Sequence, residues 1–513
     1  MALNTGSRTG NASRNAASAI INKLVILLLT FINRKVFIVY IGVEYLGING
    51  LFSNVLTLLS MADLGLGTAM NVSLYKPIAE NDTKKLAALL GFFRKLYYGI
   101  AAGVMVIGLG LLPFLKYIVN LDSDIPHLYV YYIMFVLKNS ISYLFAYKSS
   151  IIHADQKKYI VNRIDLWVNI AKAIFHIIVV VAFSNYFIYV VVDILAVLAH
   201  NLVVSWVADT RYPFIKQSVK LDKAEKKDIF SGTYSVFLYK IAFSLINGTD
   251  NILISMLAGT VFVALYSNYY TVTSQIESMI ALLFTALTAS VGNLVVKENA
   301  DKRYETFRVM QMVSFWLCGI ASICCLFLFQ DFIEMLYGAE FKLGTDVLIA
   351  IVLNMFFSIC MRPVWTFREG TGMYNQIRYI MIVTAVLNIV LSVVLGKILG
   401  VSGVLFATSI SKISTYFWYE PNLLFKNFFH QSPKKYYLAY AQNAVVLLVT
   451  AGLCWIPMSF IKTVSIPCWI LKAVICMVII NTVFILRYRK TEEFAIIKKK
   501  VAGMFGKKKK AIS

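Results

Sequence analysis

Apolar residues run along this chain in stretches of about 20 or more, each closed by a few polar positions, and that is the length of a membrane-crossing helix. Spans are read at 20–42, 47–71, 96–119, 126–148, 160–183, 186–208, 232–258, 264–294, 309–330, 343–362, 378–398, 401–423, 438–460 and 466–486. The expected fold is therefore an all-α integral membrane protein of about 14 transmembrane helices.

Composition agrees. Of the 513 residues, 59% are hydrophobic and 15% charged, against about a quarter charged in ordinary soluble domains. No soluble core of this size hides so much apolar surface. The first eighteen residues are polar and basic, without a cleavable signal sequence, and read as a cytoplasmic tail. The seven cysteines all fall in the second half without metal-ligand spacing, and read as small buried hydrophobes.

The net charge of +23 raises the question of nucleic acid, and its distribution answers it. Basic residues crowd the N-terminal tail and every second loop, as at Lys84 and Lys85, Lys157 and Lys158, Arg211 to Lys227, Arg303 and Arg308, and Lys434 and Lys435. The C-terminal tail adds Lys498 to Lys500 and Lys507 to Lys510, while the intervening loops hold Lys116, Lys342, Lys397, Lys462 and Lys472. Loop parity of this kind is the positive-inside pattern, which puts both termini in the cytoplasm and rests the basic tail on anionic membrane lipids. A nucleic-acid partner is not expected.

A weak repeat divides the chain. The turn IGVEYLGINGLFSN (41–54) recurs as AGTVFVALYSNYY (258–270), and LGVSGVLF (399–406) turns in the same style. The expected domains are a tail over 1–19, a six-helix bundle over 20–208, a basic linker over 209–231, a pseudo-symmetric six-helix bundle over 232–425, two additional helices over 438–486 and a basic tail over 487–513.

Charges inside the spans carry the functional signal. Arg34, Lys35, Lys138, Lys172, Lys240 and Lys412 lie at membrane depth, with Asp63, Asp165, Asp193, Asp250 and Glu277, and Glu420 near an edge. Each costs about 2.5–3.5 kcal/mol against lipid, so such groups face one another or a hydrated cavity. The clearest stripe is Asn162, Asp165, Asn169, Lys172 and His176, at three- and four-residue steps. Tyr266, Tyr270, Thr273 and Glu277 align likewise, and Lys240 joins Ser244, Asn247 and Asn251. The competing reading is buried ion pairs gluing helices together. Arg34 is the foremost candidate for an anion, because its planar fork matches phosphate. Asp63, Asp250 and Glu277 are candidates for binding a coupling cation. Basic residues in a cavity imply an anionic substrate group, and apolar spans allow part of the substrate to stay in lipid.

Other signals carry little. His176 is placed in the cavity, while His127, His153, His200 and His430 read as loop or packing residues. Asp122-Ser123-Asp124 falls in an outer loop, where a nucleotide sugar is absent, and no GxxxxGK[ST] is present. Gly65, Gly67, Gly108 and Gly110 read as small residues for close helix packing.

The stretch EYLGINGLFSNVLTLLSMADLGLGTAM (44–70), followed by SLYKPIAENDTKK (73–85), resembles the polysaccharide transporters of the MOP flippase superfamily, the Wzx-type flippases. TDNILIS (249–255), ALYSNYY (264–270), VGNLVVKEN (291–299) and TFREGTGMYNQIRY (366–379) extend the likeness through both halves. It implies two six-helix bundles around a cationic cavity, with the last two helices packed outside. It also implies alternating access in a bacterial inner membrane, moving an undecaprenyl-diphosphate-linked oligosaccharide to the outer leaflet, driven by H+ or Na+. A polysaccharide polymerase and a chain-length regulator are the implied partners. Arg34 and Asp250 match positions where the family keeps cavity charges. The chain departs at Ile377, before Arg378, where the family often has an acid, which weakens the case for an ion pair at that loop.

The expected function is thus a non-enzymatic flippase. Arg34, Lys138, Lys172, Lys240 and Lys412, with Tyr266 and Tyr270, are its substrate candidates, and Asp63, Asp250 and Glu277 its coupling or gating set. The rivals are a cation-coupled drug exporter of the same superfamily and a membrane-embedded polymerase or acyltransferase. The first is expected to have fewer cavity cations and the second a large outer loop.

Overall fold

The computed structural model describes residues 8–60, 66–120, 125–217 and 219–499. Asp63, Gly65, Asp122-Ser123-Asp124 and the lysines of 507–510 lie outside the described residues. The helices are α1 (Arg8–Tyr40), α2 (Val43–Leu59), α3 (Leu66–Ala79), α4 (Thr83–Gly110), α5 (Leu115–Ile118), α6 (Leu128–Tyr143), α7 (Ala146–Ala154), α8 (Lys158–Phe183), α9 (Tyr186–Arg211), α10 (Lys223–Gly248) and α11 (Asp250–Ala258). They continue as α12 (Thr260–Lys297), α13 (Ala300–Tyr337), α14 (Thr345–Cys360), α15 (Arg362–Thr371), α16 (Tyr374–Leu399), α17 (Val401–Ser414), α18 (Tyr416–Leu424), α19 (Lys434–Phe460) and α20 (Ile466–Tyr488). The architecture is all-α among the described residues, as the hydropathy pattern requires: in lipid, backbone groups must be satisfied within their own segment.

Each expected span overlaps a helix or helix pair. By length and apolarity, nine helices among the described residues suit a membrane crossing, or up to eleven if each of two bent pairs is one span. The expected count of fourteen is therefore not established. The bent pairs are α6 with α7, at 42°, and α14 with α15, at 41°.

Local sequence sets the boundaries. Gly42 and Gly259 end their turns with nearly the same backbone, φ 108° with ψ 163° and φ 114° with ψ 150°. Gly400 also has positive φ, at 63°. These are the glycines of the repeated turns, at conformations that a side chain resists. Side-chain caps at Asp82, Asn185, Asn299 and Ser465 accept from the first-turn amides of α4, α9, α13 and α20. Gly108 lets α4 approach α6, since a Cβ there meets Val136 at 2.8 Å, whereas Gly110 faces open space.

The chain forms two compact units, Met1–Ala264 and Leu265–Ser513, dividing inside α12. In the first, α1 lies along α8, α8 and α6 pack on α9, and α3 packs on α4 and α7. Phe93, Tyr97, Ile151 and Tyr212 are fully buried in one cluster of its core. Helices α10 and α11 pack against α2 within this unit, although the sequence pattern groups them with the second bundle. In the second, α16 pairs with α17, and α13 packs on α14, α19 and α20.

Candidate functional site

The polar stripe of α8 meets polar faces of its neighbours in the first unit. Asp193 on α9 is the hub: its Oδ2 lies 2.9 Å from Lys138 Nζ of α6, and its Oδ1 3.6 Å from Lys172 Nζ of α8 and 3.5 Å from His176 Nε2. One carboxylate thus serves two lysines, which leaves positive charge in excess at this spot. The ammonium of Lys138 also sits over the Phe135 ring, 4.2 Å from its centroid. About two turns along α9, Nε2 of His200 lies 2.8 Å from Asp165 Oδ1 of α8.

The lysines, the aspartates and His200 line a cavity of about 590 Å³ among α3, α4, α6, α7, α8 and α9. Its wall holds Lys138, Lys172, Asp193, Asp165, His153 and His200, and between them the hydroxyls and amides of Ser142, Ser149, Asn169 and Asn201. The volume and the convergent polar groups are those of a small-molecule site. His153 and His200, read from the sequence as loop or packing residues, stand in this wall. His176 is instead buried, stacked on Tyr189 with ring centroids 3.8 Å apart. A lone histidine on its own helix carries no periodic signal, which is why the pattern missed His153 and His200; His176 lies on the α8 stripe, whose period does not separate a wall position from a buried one.

Arg34 is half-buried on α1, and its Nη2 donates to the carbonyl of Ala264 at 3.4 Å. Lys240 on α10 and Asp250 at the start of α11 stand apart from the cavity wall, Asp250 being buried.

In the second unit, Glu277 of α12 accepts from Ser358 Oγ of α14 at 2.6 Å. Arg362 Nη2 reaches the same hydroxyl at 3.5 Å, and both Arg362 and the buried Lys412 act electrostatically on the carboxylate. Tyr266 is buried and Tyr270 exposed, with ring centroids 5.9 Å apart, so the expected single face of α12 is divided. The sequence pattern also missed a sealed pair: Arg368 Nη1 of α15 donates to both carboxylate oxygens of Glu420 on α18, at 3.0 and 3.1 Å. At Arg378, where no acid precedes, the guanidinium lies on the Tyr379 ring, 4.7 Å from its centroid. Lys472 is no loop residue: it is buried in α20 and reaches Asp331 at 2.5 Å. Among the described residues no group of three or more His, Cys, Asp or Glu side chains is arranged to hold a metal ion.

A family model described as "Polysaccharide biosynthesis protein" matches residues 12–289, and the MatE model matches 236–394. Among solved structures, the chain is similar to the lipid II flippase MurJ in an inward closed conformation, with a TM-score of 0.66 and 14% identity over 93% of this chain and 98% of that one. It is similar to an inward-facing multidrug resistance MATE family transporter of the MOP superfamily, with a TM-score of 0.60 and 15% identity over 78% and 96%. A MOP superfamily transporter from Pyrococcus furiosus, described as having a binding pocket of reverse polarity, gives 0.55 and 15% over 81% and 96%. At these identities the likeness establishes the fold. No curated protein sequence matches the chain.

Proposed function

Because the chain belongs to the polysaccharide biosynthesis protein family, a family of multi-pass membrane transporters, we propose that it is a flippase carrying undecaprenyl-diphosphate-linked oligosaccharide from the cytoplasmic to the outer leaflet of a bacterial inner membrane. The observation that carries this reading is Asp193 shared between Lys138 and Lys172 on the wall of a 590 Å³ cavity. A diphosphate is dianionic and is drawn to that surplus, and Lys172, the more distant partner, is the cation it recruits first. The hydroxyls and amides beyond it suit sugar hydroxyls. Arg34, Lys240, Lys412, Tyr266 and Tyr270 are proposed as further substrate contacts along the route.

The drive is a proton or sodium gradient, with Asp63, Asp250 and Glu277 as the coupling or gating set. Both termini face the cytoplasm, following the loop charges. A polysaccharide polymerase and a chain-length regulator are the expected partners downstream.

A second reading, a drug exporter, is favoured by the MatE match and the MATE-like fold. Two lysines in the cavity repel the organic cations that such a transporter would carry. Cells lacking the protein discriminate. The flippase reading requires intact lipid-linked repeat units to accumulate on the cytoplasmic leaflet. Units that reach the outer leaflet and stay unpolymerised overturn it in favour of a polymerase. Normal surface glycan with new drug sensitivity favours the exporter.

A further inference from the structure

The second charged pair of the cavity has no part in the reading above. His200 lies between two oxygens: Asp165 Oδ1 is 2.8 Å from Nε2, and Asn201 Oδ1 is 3.4 Å from Nδ1. A neutral imidazole carries one N–H and turns a lone pair toward the other oxygen, whereas an imidazolium presents a proton to both; Nε2 makes no aligned hydrogen bond, so its contact with Asp165 is one of charge. Histidine is also the side chain whose ordinary titration falls between about pH 5 and 8. We propose that His200, held by Asp165, is a proton site that sets the affinity of this cavity for an anion. The inference rests on the anion-carrier reading and adds to it a residue and a direction.

The surrounding charges fix the sign. On α8, Asp165 and Lys172 stand seven residues apart on one face, and α6 contributes Lys138 and α9 Asp193. From α7, His153 lines the same wall with its Nε2 3.5 Å from Ser149 Oγ, while Lys148 is occupied by Asp209 at 2.8 Å and Ser205 at 2.6 Å. Helix α4 brings Tyr97, and α3 brings Gly67. Arg94 of α4 acts on Tyr147 of α7, and Lys23 of α1 and Lys158 of α8 act on each other. Around Asp193 two lysines share one carboxylate, and over the whole wall Asp165 offsets that local surplus while both imidazoles are neutral. A proton on His200 tips the wall to one net positive charge, with Asp165 compensated by the imidazolium beside it. Anion and proton therefore bind with mutual support, which sets the affinity of the cavity and is separate from the ion gradient that drives outward movement. Because the coupling is reciprocal, the anion must draw a proton onto the protein as it binds.

The test is calorimetric titration of the purified full-length protein with a diphosphate esterified at both ends, by a short prenyl chain and by an N-acetylhexosamine. Such a probe keeps its charge from about pH 6 to about pH 8, so any pH dependence belongs to the protein. The dissociation constant is expected to rise at least fivefold, roughly, across that range. Paired buffers of different ionisation enthalpy are expected to show proton uptake on binding. His200→Gln should bind with a flat pH profile, and His153→Gln should keep the wild-type slope. Wild-type binding that is flat with pH overturns the proton site alone, and absence of binding at every pH overturns the anion reading with it. A slope that survives in His200→Gln and vanishes in His153→Gln moves the site to the other imidazole and overturns this assignment. If His200→Gln does not fold, the five histidines are few enough to follow by NMR, assigned by replacing the other four. The His200 midpoint must then rise on adding the probe, and an unmoved midpoint overturns the proposal.

Discussion

Asp193 in the first unit and Glu420 in the second each meet a basic side chain at about hydrogen-bond distance, in opposite surroundings. The side chains of Lys138 and Asp193 are 21% and 14% exposed and border a cavity, and a second lysine competes for the same carboxylate. Those of Arg368 and Glu420 are 2% and 1% exposed, with one guanidinium nitrogen on both oxygens. In the sealed pair each charge is compensated by its partner and out of reach of a ligand. In the cavity pair the charges are unequal in number and hydrated, so a ligand can replace a partner. Transport chemistry is expected of the second kind, and fold maintenance of the first.

That contrast can be broken most forcefully at the sealed pair. Arg368→Ala leaves Glu420 buried without a partner and is expected to destabilise the protein by about 3–5 kcal/mol, read as a thermal midpoint in detergent. Replacing both, as Arg368→Met with Glu420→Gln, should restore much of that loss, because the uncompensated charge goes with its partner. Lys472→Ala, facing Asp331 with side-chain exposures of 8% and 15%, is intermediate and should cost about 1–3 kcal/mol. Lys172→Met keeps the Lys138–Asp193 contact, so its stability should stay within about 1 kcal/mol of wild type while diphosphate affinity falls about tenfold. Lys302→Ala removes the solvated pair with Glu305 and should change stability by less than about 0.5 kcal/mol. A loss at Lys172 as large as that at Arg368 would erase the distinction.

Much of the fold was legible because hydropathy and turn glycines are local signals. The turns at Gly42, Gly259 and Gly400 repeat in the sequence and share positive φ in the structure. One helix break was legible and one was not: the span over 343–362 ends where α14 meets α15, just before Pro363, whereas α6 passes to α7 at Leu144 and Phe145, apolar residues like those on either side, so a straight span over 126–148 was expected. The site was half legible. A stripe such as Asp165, Asn169 and Lys172 lies on one helix, and its period announces it. Its partners Asp193 and His200 lie on another helix, and Arg368 and Glu420 are 52 residues apart. Such pairings are tertiary facts with no periodic trace.

The most direct test of the account is translocation of a fluorescent prenyl-diphosphate-linked saccharide in vesicles reconstituted with wild-type protein or Lys172→Met. Rapid movement between leaflets is expected with wild type and near-background movement with the variant, at equal thermal stability. Movement at the wild-type rate in Lys172→Met would contradict the account, because the surplus charge around Asp193 would then have no part in carrying the anion.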